Sequence, residues 1–326
     1  MLILRNGQII AMKQLSFASA TYAYKKVTTK REKFLSEMDQ VMPWQRWLDI
    51  IKPYYPEAGN GRPPIPMEVK LRIYCLQQWY ALSDPAAEEA LYDIECMRNF
   101  AHLELGEDSI PDETTILNFR RLIEDHQLSE VLFDDVNSYF EEQGIQVSKG
   151  SMVDATIIHS ASSTKNKEKQ RDQQMHSTRK GNQYYFGMKI HIGTDVNSNV
   201  IHSATVTAAN EADVTELPHL LREDDQAVFA DAGYTSDSYK RGARALGISW
   251  KVNDKRKPKK NLSTSQKKRN RQNSSIRARV EHCFRVIKCQ FGYRKTRYKG
   301  LEKNRVQVLS LLSLTNLYLQ REHLMG

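Results

Sequence analysis

The feature that most constrains this chain is the order of patterns downstream of Gly144. Three β-branched runs come first: "IQVSKGSMVDATIIHSA", "QYYFGMKIHIGTD" and "NVIHSATVTAAN". The last two are joined through Asp195–Asn199, a turn of Asp, Asn and Ser, so the three predict antiparallel strands. A helix around 213–222 follows, and then "QAVFADAGY", a short continuous apolar run closing in Asp and Gly, as a buried parallel strand would. "YTSDSYKRGARALG" predicts a helix and "ISWKV" a strand. Residues 253–275 are basic, polar and nearly free of apolar side chains, which predicts a mobile linker. Helices over 276–290 and 304–321 close the chain. This order describes an α/β sheet with helices packed on its faces.

Upstream the period changes. Residues 30–142 read as helical: "MEVKLRIYCLQQWYAL" and "PDETTILNFRRLIEDHQL" both carry apolar residues at helical spacing, the second behind a first turn of Pro111, Asp112 and Glu113. Gly-Asn-Gly at 59–61 and "RPPIP" at 62–66 mark a break between helices. The expected organisation is therefore an all-helical domain over 1–145 and an α/β domain over 146–326, with the basic linker at about 253–275.

Charge is distributed unevenly. The net charge is +9, yet residues 251–299 alone carry +16, and residues 81–142 carry −14. A focused basic tract on an otherwise acidic chain points to a polyanion, most simply nucleic acid. Four cysteines without a C-x-x-C pair indicate neither a zinc knuckle nor a disulfide framework, and suit a reducing, intracellular compartment. No run of 18 apolar residues marks a membrane span, and the opening residues do not resemble a signal peptide.

From Lys255 to Lys299 there are 17 Lys or Arg and one acid, Glu281. On a helix over 276–290, Ile276, Val280, Phe284 and Ile287 share a face fit to pack on the sheet, while Arg277, Glu281, Arg285 and Lys288 form the neighbouring stripe. Two strands carry an aspartate in apolar context, Asp154 in "MVDATII" and Asp231 in "VFADAGY". Each alone reads as readily as a strand-end cap, and Glu281 as an ordinary i, i+4 ion pair. Taken together they suggest more. Cleaving or joining DNA strands needs an activated oxygen and a stabilised leaving oxygen, which two divalent ions can provide. Two aspartates on adjacent strands and a glutamate on a facing helix are hard oxygen ligands suited to two Mg²⁺ or Mn²⁺ ions. The cations around them, Arg277, Arg285, Lys288, Lys267, Lys268, Arg269, Arg294 and Lys295, are those expected to hold the DNA backbone.

"MVDATIIHSASSTKN", "YYFGMKIHIGTD", "TAANEADV", "FADAGY" and "IRARVEHCFRVIKCQFGYRKTRYKGLEKN" resemble the transposases of bacterial insertion sequences, specifically the insertion sequence 5 family. The resemblance runs over almost the whole chain, including "RPPIPMEVKLRIYCLQQWYALSD" and "IPDETTILNFRRLIE". It implies an RNase H-like core with a catalytic triad at Asp154, Asp231 and Glu281. It also implies a last motif like Y-x₂-R-x₃-E-x₆-K, matched by Arg277, Glu281 and Lys288, with Ser274 at the tyrosine position. Only 49 residues separate Asp231 from Glu281, too few for the large β-rich insertion that some related transposases carry there.

The resulting expectation is a metal-dependent enzyme that cleaves at element ends and joins the freed 3′-OH to target DNA. Its partners would be double-stranded DNA, as terminal inverted repeats and target, and a second copy of itself; its compartment would be the bacterial cytoplasm. The rivals are a nuclease of the same fold without strand transfer and a domesticated DNA-binding protein. Among competing acids, Asp195 reads as turn chemistry and Asp213 as the cap of the next helix. His191 and His282 read as packing or phosphate contacts, since hard-metal sites seldom use imidazole. End recognition is expected in residues 20–75, where Lys25, Lys26, Lys30, Arg31, Lys33, Arg62, Lys70 and Arg72 offer phosphate contacts that the acidic helices of 84–142 lack.

Overall fold

The computed structural model describes residues 24–57, 64–256 and 260–326, with Tyr22, Pro258 and the backbone of 2–5 and 8–11. The break expected at 59–61, and Arg62, lie outside the described residues. Strands β1 (Leu2–Arg5) and β2 (Gln8–Ala11) form an antiparallel hairpin. Among the described residues the α-helices that follow are α1 (Lys30–Val41), α2 (Trp44–Ile51), α3 (Met67–Trp79), α4 (Asp84–Asp93), α5 (Glu95–Phe100), α6 (Glu113–Asp125) and α7 (Leu128–Glu142). Capping is encoded locally. Thr29 and Glu32 make a reciprocal capping box at α1, and Asp112 accepts from the Thr115 amide at α6.

The second half builds one mixed sheet from β3 (Gly150–His159), β4 (His176–Lys180), β5 (Gln183–Asp195), β6 (Ile201–Ala208), β7 (Ala227–Ala230) and β8 (Ser249–Val252). Strands β3, β5 and β6 are antiparallel neighbours, while β7 lies parallel to β3 and β8 parallel to β7. Between the strands lie the short α8 (Leu217–Leu220), preceded by a 3₁₀ turn over Asp213–Glu216, and α9 (Asp237–Ala245). The three antiparallel strands and the parallel β7 arise as their patterns predict. The polar β4 does not: "HSTRK" has no apolar alternation, and its pairing with β5 is an addition.

Side chains alternate across the sheet. Val153, Val228, Ala230 and Val252 pack on one face with Leu217 and Leu220. Met152, Ile158, Ile190 and Phe229 face the other way into the large core, with Val280, Cys283, Phe284 and Ile287. By that alternation Asp154, between Met152 and Ile158, and Asp231, two residues after Phe229, belong to the second face. The parallel register ends at Met152 and Phe229, and Asp154 and Asp231 each lie two residues beyond that last pair.

The basic tract differs from expectation. Residues 264–277 form helix α10 (Thr264–Arg277) rather than a mobile linker. Lys, Arg and Gln are good helix formers, and Ser263 with Gln266 closes a capping box at its start. The helix has no buried residue, which is why no apolar stripe announces it. Polar ties anchor it instead: the Asn270 amide bonds both backbone groups of Asp254, Arg269 pairs with Asp254 at 2.8 Å, and Asn253 donates to Ser274 Oγ at 2.9 Å.

The single helix expected over 276–290 is likewise divided. After α10 the chain bends through Ala278 and Arg279, resumes as α11 (Val280–Arg285) and ends in a π turn over Val286–Gln290. Tight bonds from the Glu281 and His282 amides to Ala278 O and Arg279 O make the joint.

The last helix, α12 (Leu301–Leu324), is longer than the predicted 304–321 and buried along most of its length, against α1, α7 and β6. Its Asn316 accepts from the Ile201 amide and donates to the Ile201 carbonyl, both at 2.8 Å, taking the place of a strand partner for β6.

Candidate active site

Asp154 is held in the middle of β3, 16% of its side chain exposed. Its Oδ1 accepts from the Ala155 amide at 2.9 Å, and its Oδ2 lies 2.5 Å from Arg277 Nη1 at the end of α10. Burial pushes its pKa up to about 6; Arg277 and the Ala155 amide act in the opposite sense, and the charges of Asp231 and Glu281 add to the rise. Three carboxylates thus share one electrostatic neighbourhood, two from adjacent strands and one from α11.

Asp231 follows β7 and caps the 3₁₀ turn Ala232–Tyr234, accepting from the Gly233 amide at 2.7 Å. The capping reading of this residue is therefore correct as far as it goes, and it fixes the carboxylate at the strand end. Glu281 is exposed on α11, beside the buried Val280.

Asp213 does not cap the following helix; no side-chain cap bond forms there. It pairs instead with Lys189 Nζ at 2.8 Å and sits 3.9 Å from His191 Nδ1. Its partners lie 24 and 22 residues away on β5, which a local capping rule cannot anticipate. A Cβ on Gly233 would lie 2.9 Å from Asp231 Oδ1 and 3.7 Å from Asp213 Oδ2, so both acids flank the same turn. The buried Tyr234 hydroxyl has no hydrogen-bond partner among the described residues. Burial raises its pKa first, and the charges of Asp213, Asp154 and Asp231 raise it further. Tyr234 and Lys189 are the site neighbours that the sequence did not single out, although Tyr234 closes the quoted "FADAGY" run.

The other expected residues separate by role. His191 is fully buried, its Nε2 2.8 Å from Thr207 Oγ1, and burial depresses it to about 4, as packing would require. His282 is exposed. Asp195 is turn chemistry: Ser148, Asn197 and Ser198 donate to it from backbone and hydroxyl groups, and hold it below the usual carboxylate range against its burial.

Lys288 donates to Ile157 O at 2.8 Å, and Arg294 donates from Nε to Lys288 O at 2.9 Å. Lys267, Lys268, Arg285 and Lys295 are exposed, whereas Arg269 is engaged with Asp254. Ser274, at the expected tyrosine position, accepts from Asn253. In the helical half Arg72 is not available to DNA. It is buried, pairs with Asp39 at 2.6 Å and Glu68 at 2.8 Å, and stacks on Trp44. Lys25 pairs with Glu32, and Lys70 lies over the Tyr55 ring.

Among the described residues, no three His, Cys, Asp or Glu side chains stand close enough together to hold an ion as placed. The donor chemistry still fits a hard divalent cation. Asp154 and Asp231 offer carboxylate oxygens on one face, their mutual repulsion is the kind a cation relieves, and Arg277 supplies that positive charge here.

A mixed sheet of this strand order, with one aspartate inside its central strand, a second just past the end of the parallel neighbour and an acid on the packed helix, has the topology of an RNase H-like core. The chain belongs to the transposase DDE-domain family, whose model matches residues 146–317, and a second model, described as a transposase domain, matches residues 22–122. The protein is thus a transposase, an enzyme of DNA cleavage and strand transfer, and its family generally uses divalent metal ions. Among solved structures it is similar to the piggyBac transposase synaptic complex with hairpin DNA, at 9% identity and a TM-score of 0.46 over 89% of this chain and 73% of that one. No helix among the described residues is long and apolar enough to cross a membrane.

Proposed function

We propose that Asp154, Asp231 and Glu281 are the catalytic acids of this transposase, that they hold two Mg²⁺ or Mn²⁺ ions, and that the chain is of the insertion sequence 5 kind. The observation that carries this reading is the placement of Asp154 and Asp231 on the face covered by α11, with the charges of Asp231 and Glu281 acting on Asp154. Ions held there would activate the attacking oxygen and neutralise charge on the leaving oxygen.

In the first step a water oxygen bonds to the phosphorus at the element end, the P–O3′ bond breaks, and the 3′-oxygen leaves as a hydroxyl. In the second that 3′-OH bonds to a target phosphorus, and a target 3′-oxygen leaves. The chain's own groups position the reactants. Asp154 and Asp231 are fixed by strand register and by amide bonds. Arg277, Arg285, Lys288, Lys267, Lys268, Arg269, Arg294 and Lys295 border the DNA path.

Residues 1–145 serve end recognition and assembly, and 146–326 catalysis. With Arg72 buried, Lys26, Lys30, Arg31 and Lys33 are those of the expected end-binding cations that are exposed among the described residues. Because two element ends are joined together, the active species is a homodimer on the nucleoid of a bacterial cytoplasm.

The test uses the full chain and duplexes made from the DNA bordering its gene. Asp154→Ala, Asp231→Ala and Glu281→Ala should each abolish nicking while leaving duplex binding intact, and excess chelator should stop the wild type. Full activity in any one variant, or cleavage in chelator, would sink the proposal.

A further inference from the structure

Strand β3 ends at His159, opposite Gly187 of β5. The four residues of β5 before that point, Gln183–Phe186, pair with β4, through Lys180↔Gln183, Arg179↔Tyr184, Thr178↔Tyr185 and Ser177↔Phe186. Beyond the Phe186 carbonyl, which accepts from the Ser160 amide at 2.8 Å, they have no second partner strand among the described residues. Strand β6 pairs with β5 only from Met188 onward. A two-stranded ribbon therefore stands out from the sheet by about 13 Å at the usual rise per residue. Gly181 closes its tip in a left-handed conformation, φ +62°, which glycine adopts without steric cost.

An isolated two-stranded hairpin is marginal in water, and of this one only Phe186, at its base, packs against the core among the described residues. Four of the five β4 residues are exposed, and Tyr184 is 74% exposed. The ribbon is held together along its own length. Arg179 lies over the Tyr184 ring, Tyr185 packs on His159, and Arg171 lies over Phe186. Neither Arg179 nor Lys180 makes an ion pair among the described residues, although acids are plentiful elsewhere on the chain.

The ribbon's base is tied to the basic segment after α11. The Thr296 amide donates to His159 O at 2.7 Å, and the His159 amide to Arg294 O at 3.2 Å. The charge of Lys180 reaches Lys288, which bonds β3 at Ile157. Along β5, Tyr184 is eight residues from Ile192, the partner of Asp154, which is about 26 Å, or the length of roughly eight base pairs. The major groove, about 12 Å wide, admits a two-stranded ribbon.

We infer that the tip of the β4–β5 ribbon enters the major groove of the duplex roughly eight base pairs from the bond cut at Asp154 and Asp231, with Arg179 and Lys180 on phosphates and Tyr184 against base edges. The inference rests on the reading of those aspartates as the cleavage site. A phosphate-gripping tip with an aromatic between the cations explains why "TRKGNQYY" keeps charge and ring where a buried strand would carry neither.

The test is binding of the full-length protein to a duplex of about 60 base pairs, taken from the DNA that borders the gene, across a salt series. The combined variant Arg179→Ala, Lys180→Ala, Tyr184→Ala should bind at least tenfold more weakly near 0.1 M salt, with a log–log salt slope shallower by about two. Its melting temperature should match the wild type. In an otherwise unaltered chain, Tyr184 replaced by p-benzoyl-phenylalanine should photocrosslink to nucleotides roughly eight base pairs from the nick. Unchanged affinity and slope, or crosslinks to a second copy of the chain in place of DNA, would overturn the ribbon assignment. That failure is separate from failure of the underlying reading, which shows as retained nicking in the Asp154 variant.

Discussion

Arg277 Nη1 and Asp154 Oδ2 meet at 2.5 Å, joining the end of α10 to the centre of β3. A guanidinium and a divalent cation cannot both have that oxygen at full strength. Arg277 therefore has two seats, one on the carboxylate and one, in the proposed complex, on the DNA end. The swap between them links arrival of DNA and ion to departure of the arginine.

The first prediction follows from that competition. In the wild type, added Mg²⁺ must displace Arg277 and should raise the melting temperature little. In Arg277→Gln the buried Asp154 lacks its counter-charge, and the metal-free protein should lose about 1–3 kcal/mol. Mg²⁺ should then restore more stability than it adds to the wild type. Thermal melts with and without Mg²⁺ decide this, and equal Mg²⁺ effects in the two proteins would contradict it.

The cations of α10 should not contribute equally. Lys267 and Lys268 are exposed, while Arg269 is engaged by Asp254. Replacing Lys267 and Lys268 together with Ala should weaken duplex binding uniformly across sequences and reduce the salt slope by about two. Arg269→Ala should change the slope less and loosen α10 instead. Binding isotherms over a salt series, beside hydrogen exchange of 264–277, separate the two effects.

Acid stability should depend on His202. Its Nε2 is 2.9 Å from Ser151 Oγ, which also donates to Asp225 at 2.6 Å. Burial depresses its pKa to about 4, Arg222 adding to the effect and Asp225 opposing it. Folding therefore favours the neutral ring. This contribution is complete above about pH 6.5, the unfolded value, and is lost as pH falls from there toward 4, up to ~3 kcal/mol. His202→Gln should flatten the wild-type decline over that window. Urea unfolding between pH 7 and 4 measures it, and parallel curves would refute the assignment.

Gly193 admits no side chain. A Cβ there would lie 2.2 Å from Leu220 O and 2.9 Å from His202 Cε1, beside the register shift in β5. Gly193→Ala should cost about 2–3 kcal/mol by forcing α8 away from the sheet. Unfolding free energies of the purified variant report this directly, and a loss below about 0.5 kcal/mol would show that the backbone yields.

What the sequence revealed follows from where each element finds its stability. Strands β3, β5, β6 and β7 bury apolar side chains, so their pattern is visible in the chain itself. Helix α10 and strand β4 bury almost nothing. One is held by caps and by Asn253, Asp254 and Asn270, and the other by pairing with β5, so hydrophobic periodicity is silent about both. The candidate site divides the same way. Asp154, Asp231 and Glu281 stand out as candidates because each breaks the pattern around it, an acid in an apolar strand or in a basic tract. Asp213 and Arg72 are not legible in this way, because the partners of Asp213 lie on β5, and Arg72, beside its neighbour Glu68, is buried by Asp39 and Trp44 from other helices.

Helix α12 runs through the interior with α1 and α7 on one side and β6 on the other, and Asn316 completes the pairing of β6. The helical half and the sheet therefore share a spine. A tear in either would strip the same helix of half its burial, so the two should melt in one transition, and hinge bending between them would cost as much as local unfolding. The frame is stiff, and DNA must be fitted to it.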